Sequence, residues 1–232
     1  MVASLVLPCY NPAPGWEQVV FSNFRSFCSG VGEEVELIIV LDGENGNVTN
    51  EQLSFLTAQI KSLTIVRYQD NRGKGYAIRQ GVGKSAGDLI LYTDIDFPYT
   101  QESMLNVYGK LKQDECDVAI GVKNDGYYAQ VPPVRRYISR YLQFFVKLFL
   151  SMPVTDTQCG LKGFKRSVAP LFLRTTIDRY LFDLEFVRNC YKSKQYRIQP
   201  IPVTLNENVH FRKMNFRILL PEMVNFIKLL FK

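Results

Sequence analysis

The sequence predicts an α/β fold in which a mainly parallel central sheet is flanked by helices. Two observations carry that prediction. The first half of the 232-residue chain alternates short β-rich apolar runs with segments of helical periodicity, the pattern of repeated βαβ units. The composition, 47% hydrophobic and 22% charged with 13% aromatic residues, belongs to an ordered chain long enough to bury one large core.

Five strands are expected, at Ala3–Leu7, Glu36–Asp42, Thr64–Tyr68, Asp88–Asp94 and Asp117–Val122. Between the first two, Trp16, Val19, Val20, Phe24 and Phe27 recur at helical spacing, and between the next two Leu53, Leu56, Ile60 and Leu63 do the same. Both stripes read as core faces. Thr100 can cap a helix over Gln101–Lys112, with Glu102 in its first turn, which puts the preceding acidic stretch in a strand-to-helix connection. That connection lies at the carboxyl edge of the sheet, where α/β proteins bind ligands. Past Val122 the pattern changes to a Gly/Tyr/Pro-rich loop reaching Pro133, a basic helix over about Arg135–Leu150, and the polar segment "TDTQCGLKGFKR".

Composition narrows the chemistry. The five cysteines are odd in number and never fall in a C-x-x-C spacing, so they read as reduced, buried thiols. A single histidine, His210, excludes histidine-rich metal sites and disfavours a histidine-dependent triad, so a metal here needs oxygen ligands. The start "ASLVLP" reads as a strand rather than a signal peptide, and "YLQFFVKLFLSMPV" is interrupted by Gln143, Lys147 and Pro153, so no membrane span is expected. A cytoplasmic protein follows as the expectation. Charge is divided unevenly: residues 1–122 carry net −6 and residues 123–232 net +12. The second half therefore faces something anionic. Its basic residues lie among apolar helices rather than in a reading motif, which argues against nucleic acid.

Five segments can carry chemistry. "LILYTDIDFPYT" ends an apolar run with Asp94 and Asp96, two residues apart and so on one side of an extended chain. Like charges that close call for a cation between them, and Mg2+ or Mn2+ would take carboxylates plus phosphate oxygens. By itself the D-x-D pattern reads equally as a strand end and a turn before Pro98. "LPCYNP" breaks directly after the first strand and supplies a ring and an amide. In "LIIVLDGENGN", Asp42 ends the second strand and could accept hydrogen bonds from a base or ribose, or simply close a turn. "DNRGKGYAIRQGV" places Lys74 between two glycines before a helix N-terminus, a position that favours anions, without P-loop spacing. "DTQCGLKGFKR" is a polar cluster, or a capped turn feeding a strand.

Taken in order, "LPCYNP", "VLDGENG", "NRGKGYAIRQG", "YTDID", "DTQCGLKGFKR" and "RYLFDLEFV" resemble the family 2 glycosyltransferases of the GT-A fold, specifically the branch of dolichyl-phosphate mannose synthase and dolichyl-phosphate glucosyltransferase. The resemblance spans about Leu5 to Glu207. It implies a GT-A, Rossmann-like catalytic domain over residues 1–207, followed by an amphipathic helix over 208–232. It implies that Pro8, Tyr10, Asp42, Lys74 and Asp94 bind the nucleotide-sugar donor, and that Asp94 and Asp96 hold Mg2+ or Mn2+. Arg135, Arg136, Ser139 and Arg140 match the acceptor-phosphate positions, and Lys123, Asp156 and Gln158 surround the sugar and acceptor with Arg136. The chain departs from the family at Pro12, where Glu is usual, and at Leu41–Asp42, where an Asp pair is common.

The implied reaction is inverting transfer of a hexose from UDP-glucose, GDP-mannose or a similar donor to polyprenyl or dolichyl phosphate, with "DTQCG" favouring the glucosyl branch. A phosphate acceptor is already ionised and needs no protein base. A soluble saccharide or protein acceptor would need one, for which Asp156, Asp183 and Glu185 are the candidates. A third reading is a non-catalytic module that binds a sugar nucleotide or an anionic membrane. The segment "FRILLPEMVNFIKLLFK" can present Leu219, Met223, Phe226, Ile227 and Leu230 as one apolar face flanked by Lys228 and Lys232, suited to the cytoplasmic face of a membrane or to packing on the domain.

Overall fold

A computed structural model of the chain describes residues 1–44, 46–123, 136–137, 141, 143, 146–147, 156–157, 159–206 and 219–230. Seven strands form one sheet: β1 (Ala3–Cys9), β2 (Val35–Asp42), β3 (Leu63–Tyr68), β4 (Leu89–Tyr92), β5 (Val118–Lys123), β6 (Lys162–Lys165) and β7 (Ile198–Val203), in the order β3-β2-β1-β4-β6-β5-β7. β1, β2, β3 and β4 pair in parallel, as do β5 and β7, whereas β6 runs antiparallel between β4 and β5. The expected α/β architecture and all five expected strands are present.

Side-chain alternation along the strands builds two cores. Leu5, Leu7, Leu37, Ile39 and Leu91 face helices α1 (Trp16–Val31), α2 (Asn50–Gln59) and α4 (Gln101–Lys112), where Val20, Phe24, Phe27, Leu53 and Leu56 pack as the periodicity predicts. Val6, Ile38, Val40, Ile90 and Tyr92 face the other way, toward α3 (Lys74–Lys84), α5 (Ala169–Leu173), α6 (Phe182–Ser193) and α7 (Leu219–Leu230). Both faces being covered, the central strands read as continuous apolar runs. Val19 is the exception in the first stripe and is exposed.

Three features were outside the sequence reading. β6 is only four residues long, with Gly163 at its centre pressed against Leu111, Val107 and Leu91, so it carries no periodic signal. β7 contains Pro200 and Pro202, which argue against a central strand; it forms at the sheet edge, where the missing N–H groups face outward and Ile201 and Val203 face in. β4 is shorter than expected, ending at Tyr92, because the chain turns at Asp94–Phe97, where Phe97 N–H donates to the Asp94 carbonyl at 3.0 Å. The predicted basic helix falls mostly outside the described residues; Arg136, Tyr137, Tyr141, Gln143, Val146 and Lys147 are helical.

Two polar clusters lock the amino edge of the sheet. Buried Glu36 accepts from Ser4 Oγ at 2.5 Å and from the amides of Ala86 and Gly87 at 2.5 and 3.1 Å, joining β1, β2 and the approach to β4. Asp117 is paired with Lys165 and Arg197, joining β5, β6 and the approach to β7; hydrogen bonding from Arg197 is the main cause holding its carboxyl far below the usual range. Glu36→Ala removes the buried acceptor shared by the Ser4 hydroxyl and the amides of Ala86 and Gly87, and is expected to lower the unfolding free energy by about 2 kcal/mol in urea denaturation. Since the Asp117 pKa is depressed by folding, its stabilisation is fully present above the unfolded value of about 4 and is lost progressively as pH falls from there through the lower folded value, so the wild type should lose stability on acidification more steeply than Asp117→Asn.

Candidate active site

The carboxyl ends of β1, β2 and β4 meet at one edge of the sheet, and the sequence motifs come with them. β4 delivers the Asp94–Phe97 turn, in which Ile95 is buried while Asp94 is half-buried and Asp96 exposed. The two carboxylates thus share the outward side, by virtue of a turn rather than of strand alternation. Phe97 has φ 46, a left-handed conformation unfavourable for a bulky residue. Asn206 holds it there: its side-chain amide donates to the carbonyls of Phe97 at 2.8 Å and Tyr99 at 3.1 Å, and its backbone N–H donates to Pro98. Thr100 then caps α4 as expected, accepting from Ser103 N–H at 3.3 Å.

Lys74 Nζ donates to Asp94 Oδ1 at 2.6 Å, with the Asp94 side chain 37% exposed. Burial works to lower the Lys74 pKa, and the carboxylates of Asp94 and Asp183 outweigh it, holding the ammonium well above the ordinary lysine value. Gly160, from "DTQCG", closes against the same carboxylate: a Cβ there would collide with Asp94 Oδ2 and lie 3.4 Å from Lys74 Nζ. Its N–H donates to Tyr99 Oη at 2.8 Å.

Asp42 is 2% exposed, and its carboxylate receives four donors: Tyr68 Oη, Asn71 Nδ2, and the amides of Arg72 and Gly73, all at 2.8–2.9 Å. It organises the loop that carries Lys74, as the turn-closing reading of its position allowed. At the amino end of α3 the Tyr76 N–H is engaged, donating to the Asp178 carbonyl at 3.1 Å, and the Lys74 ammonium brings positive charge to this point. Pro8 and Tyr10 lie at the end of β1, with the Tyr10 ring exposed beside the site.

Lys123, at the end of β5, is tied to Asp156: its backbone N–H donates to Asp156 Oδ2 at 2.7 Å and its ammonium lies 3.3 Å from Oδ1. Arg136 is partly buried. Arg135, Ser139, Arg140, Gln158 and His210 lie outside the described residues. Two of the candidate bases are committed elsewhere. Asp183 is paired with Lys162 at 2.9 Å and accepts from Tyr92 Oη at 2.5 Å, and Glu185 accepts from the amides of Thr176 and Ile177 at 2.8 Å.

Asp94 and Asp96 supply hard oxygen ligands, and no cluster of three or more His, Cys, Asp or Glu side chains suited to a metal occurs among the described residues. This donor set fits Mg2+ or Mn2+ sharing its remaining positions with substrate phosphates and water.

A mainly parallel α/β sheet with an acidic turn and a lysine at its carboxyl edge has the arrangement in which open α/β folds place their ligand sites. The family-level comparison is specific: residues 4–171 match the model of glycosyl transferase family 2, and the chain belongs to that family. It is 28% identical over 224 residues to a dolichyl-phosphate beta-glucosyltransferase of Saccharomyces cerevisiae, covering 88% of this chain and 66% of the relative. The corresponding Drosophila melanogaster protein is 30% identical over 200 residues, covering 79% and 61%. The chain thus spans just under two thirds of the length of these relatives. Among solved structures, glucosyl-3-phosphoglycerate synthase from Mycobacterium tuberculosis, in complex with Mn2+, UDP and phosphoglyceric acid, aligns with TM-score 0.60 at 16% identity, over 94% of this chain and 73% of its own. A mannosyltransferase from Pyrobaculum calidifontis in complex with GDP-Man and Mn2+ aligns with TM-score 0.58 at 17% identity, over 90% and 57%. These likenesses establish the fold.

Gly160 has an ordinary backbone conformation, and the atom its Cβ would meet is the end of a movable side chain. Gly160→Ala should therefore leave the melting temperature within a few degrees of wild type while displacing the Asp94 carboxylate. Mn2+-dependent nucleotide binding, measured by calorimetry, is expected to weaken on the order of 10-fold or more.

Proposed function

We propose that the chain transfers a hexose from a nucleoside-diphosphate sugar to a polyprenyl or dolichyl phosphate, with inversion at the anomeric carbon. The observation that carries this reading is the state of the candidate bases. Asp183 and Glu185 are buried and spent on internal partners, and Asp156 is paired with Lys123. An acceptor that arrives already ionised needs none of them. The similarity to dolichyl-phosphate beta-glucosyltransferases supports the same class of acceptor and makes a glucosyl donor the first to test.

In this reading Asp94 and Asp96 hold Mg2+ or Mn2+, which when bound offsets negative charge developing on the departing nucleoside diphosphate. Lys74 orients Asp94 and adds a positive charge at the diphosphate end of the donor. The Tyr10 ring and Pro8 flank the nucleoside. Lys123 and Arg136, joined by Arg135, Ser139 and Arg140 of the sequence pattern, take the acceptor phosphate, for which the arginine fork is suited. Alignment of the two phosphates about the anomeric carbon is then the main task of the protein.

Among the described residues no helix is long and apolar enough to cross a membrane. α7 docks by one face: Leu229 is buried, Phe226 packs on the core, and Glu222 accepts from Leu181 N–H at 3.0 Å. Phe226 thus belongs to the body rather than to an outward stripe. Met223, Val224 and Ile227 remain exposed beside Lys228, a surface suited to the interface of an anionic membrane and to a peripheral mode of attachment.

A panel of radiolabelled sugar nucleotides, incubated with polyprenyl phosphate and Mg2+ or Mn2+, should move label into the lipid extract. Asp96→Asn is expected to lower that transfer on the order of 100-fold or more. Full activity in EDTA would remove the metal from the scheme. Efficient transfer to soluble saccharides without lipid would favour the base-dependent alternative, and donor binding with no turnover on any acceptor would favour a binding module.

A further inference from the structure

Beneath the Asp94 turn lies a charged group that the proposed reaction does not use. The Lys162 side chain is 0% exposed; its ammonium contacts Asp183 Oδ1 at 2.9 Å and donates to the Cys159 carbonyl at 2.5 Å. Tyr92 Oη donates to the same Asp183 oxygen at 2.5 Å, and Lys162 Nζ sits 5.8 Å from the centre of the Tyr92 ring. Burial, reinforced by the Asp183 charge, pushes the Tyr92 phenol well above its usual pKa, so it stays a donor. These contacts gather β4, β6, α6 and the Cys159–Gly160 peptide on one pair of charges. A buried ion pair is weak evidence for stability, since an apolar pair of similar volume often serves as well. Here an apolar pair would leave the Cys159 carbonyl and the Tyr92 hydroxyl without partners.

The Cys159–Gly160 peptide is held from both sides: Lys162 takes its carbonyl and Tyr99 its N–H, at 2.8 Å. Gly160 in turn abuts Asp94. The same segment leads back to Asp156, the partner of Lys123.

We propose that Lys162, together with Asp183, is a positioning residue for transfer. It sets the orientation of the Cys159–Gly160 peptide, and that peptide sets both the Asp94 carboxylate on the donor side and the Asp156–Lys123 pair on the acceptor side. The kinetic part of this proposal rests on the transfer reading above.

The test uses the Lys162→Met/Asp183→Asn double variant, which removes both charges and keeps an acceptor for Tyr92, beside Lys162→Met alone and Glu36→Ala as a destabilised control remote from the site. Two measurements are made below the melting temperature of every variant. In amide hydrogen exchange followed by NMR, the Gly160 N–H of the double variant is expected to exchange at least 10-fold faster while the β1 and β2 amides keep wild-type protection. In transfer assays, kcat is expected to fall at least 10-fold with donor KM changed less than kcat. Glu36→Ala should speed exchange throughout the sheet and leave kcat of the folded protein unchanged. Wild-type Gly160 protection in a folded double variant overturns the proposal, as does wild-type kcat in an active system. If the wild type transfers no sugar at all, the functional reading fails by itself, and the exchange measurement still decides the positioning role.

Discussion

The Lys74–Asp94 ion pair is the contact on which the rest of the site depends. Asp94 opens the turn just past the apolar strand β4, and an isolated carboxylate against such a wall is poorly solvated. Lys74 supplies the opposite charge from α3, and the loop that delivers it is itself built around a second carboxylate, Asp42, saturated by four donors. Two acidic residues, from the ends of strands on either side of β1, thus do different work at one sheet edge. One is consumed in shaping a loop, and the other stays half-open to solvent.

Charges alternate inward from that point. Asp94 meets Lys74, Lys74 feels Asp183, and Asp183 meets Lys162. Such an arrangement lowers the penalty of each buried group through its neighbour, and removing one member leaves an uncompensated charge in a region of low polarisability. Its members come from α3, the Asp94 turn, α6 and β6, so the network also fixes how these elements meet. In the proposed transfer, a site aligning two anionic groups about one carbon would gain from that rigidity.

How much of this was legible in the sequence depended on the range of the interaction. Thr100 with Ser103, the α1 stripe of Trp16, Val20, Phe24 and Phe27, and the five long apolar runs are local patterns, and they led directly to elements. The acidic pair was legible as a pair, although its shared direction comes from a turn closed by Phe97 N–H. The partners of Asp42 were not legible locally, because they lie 26 to 31 residues away, at Tyr68 and Asn71–Gly73. Asn206 and Tyr99 had no local signature, because each engages a backbone group brought near by the sheet: Asn206 reaches Phe97 across 109 positions, and Tyr99 reaches Gly160 across 61. Gly160 and Lys162 stood within the polar segment "DTQCGLKGFKR", whose individual contacts the sequence did not reveal. The short β6 and the proline-bearing β7 were hidden for the same reason, since pairing rather than intrinsic preference makes them strands.

The position of α7 follows from the same network of contacts. Glu222 takes the Leu181 N–H at the start of α6, and Asn225, Lys228 and Leu229 line a cavity of about 110 Å³ with Thr176 and Ile177. The Ile177 and Asp178 carbonyls press on Gly75 and Gly73, where a Cβ would collide with them, and these two glycines flank Lys74. The loop at residues 176–178 is further held by Glu185 through two amides and by Arg79 through the Ile177 carbonyl at 2.8 Å. One rigid loop therefore touches α7 on one side and the Lys74 segment on the other. The exposed Met223, Val224 and Ile227 are thereby tied, through one loop, to the segment carrying the residue that orients Asp94. In the proposed transfer reading, that tie would hold a membrane-facing surface in register with the site, as an acceptor with an apolar tail and a charged head requires.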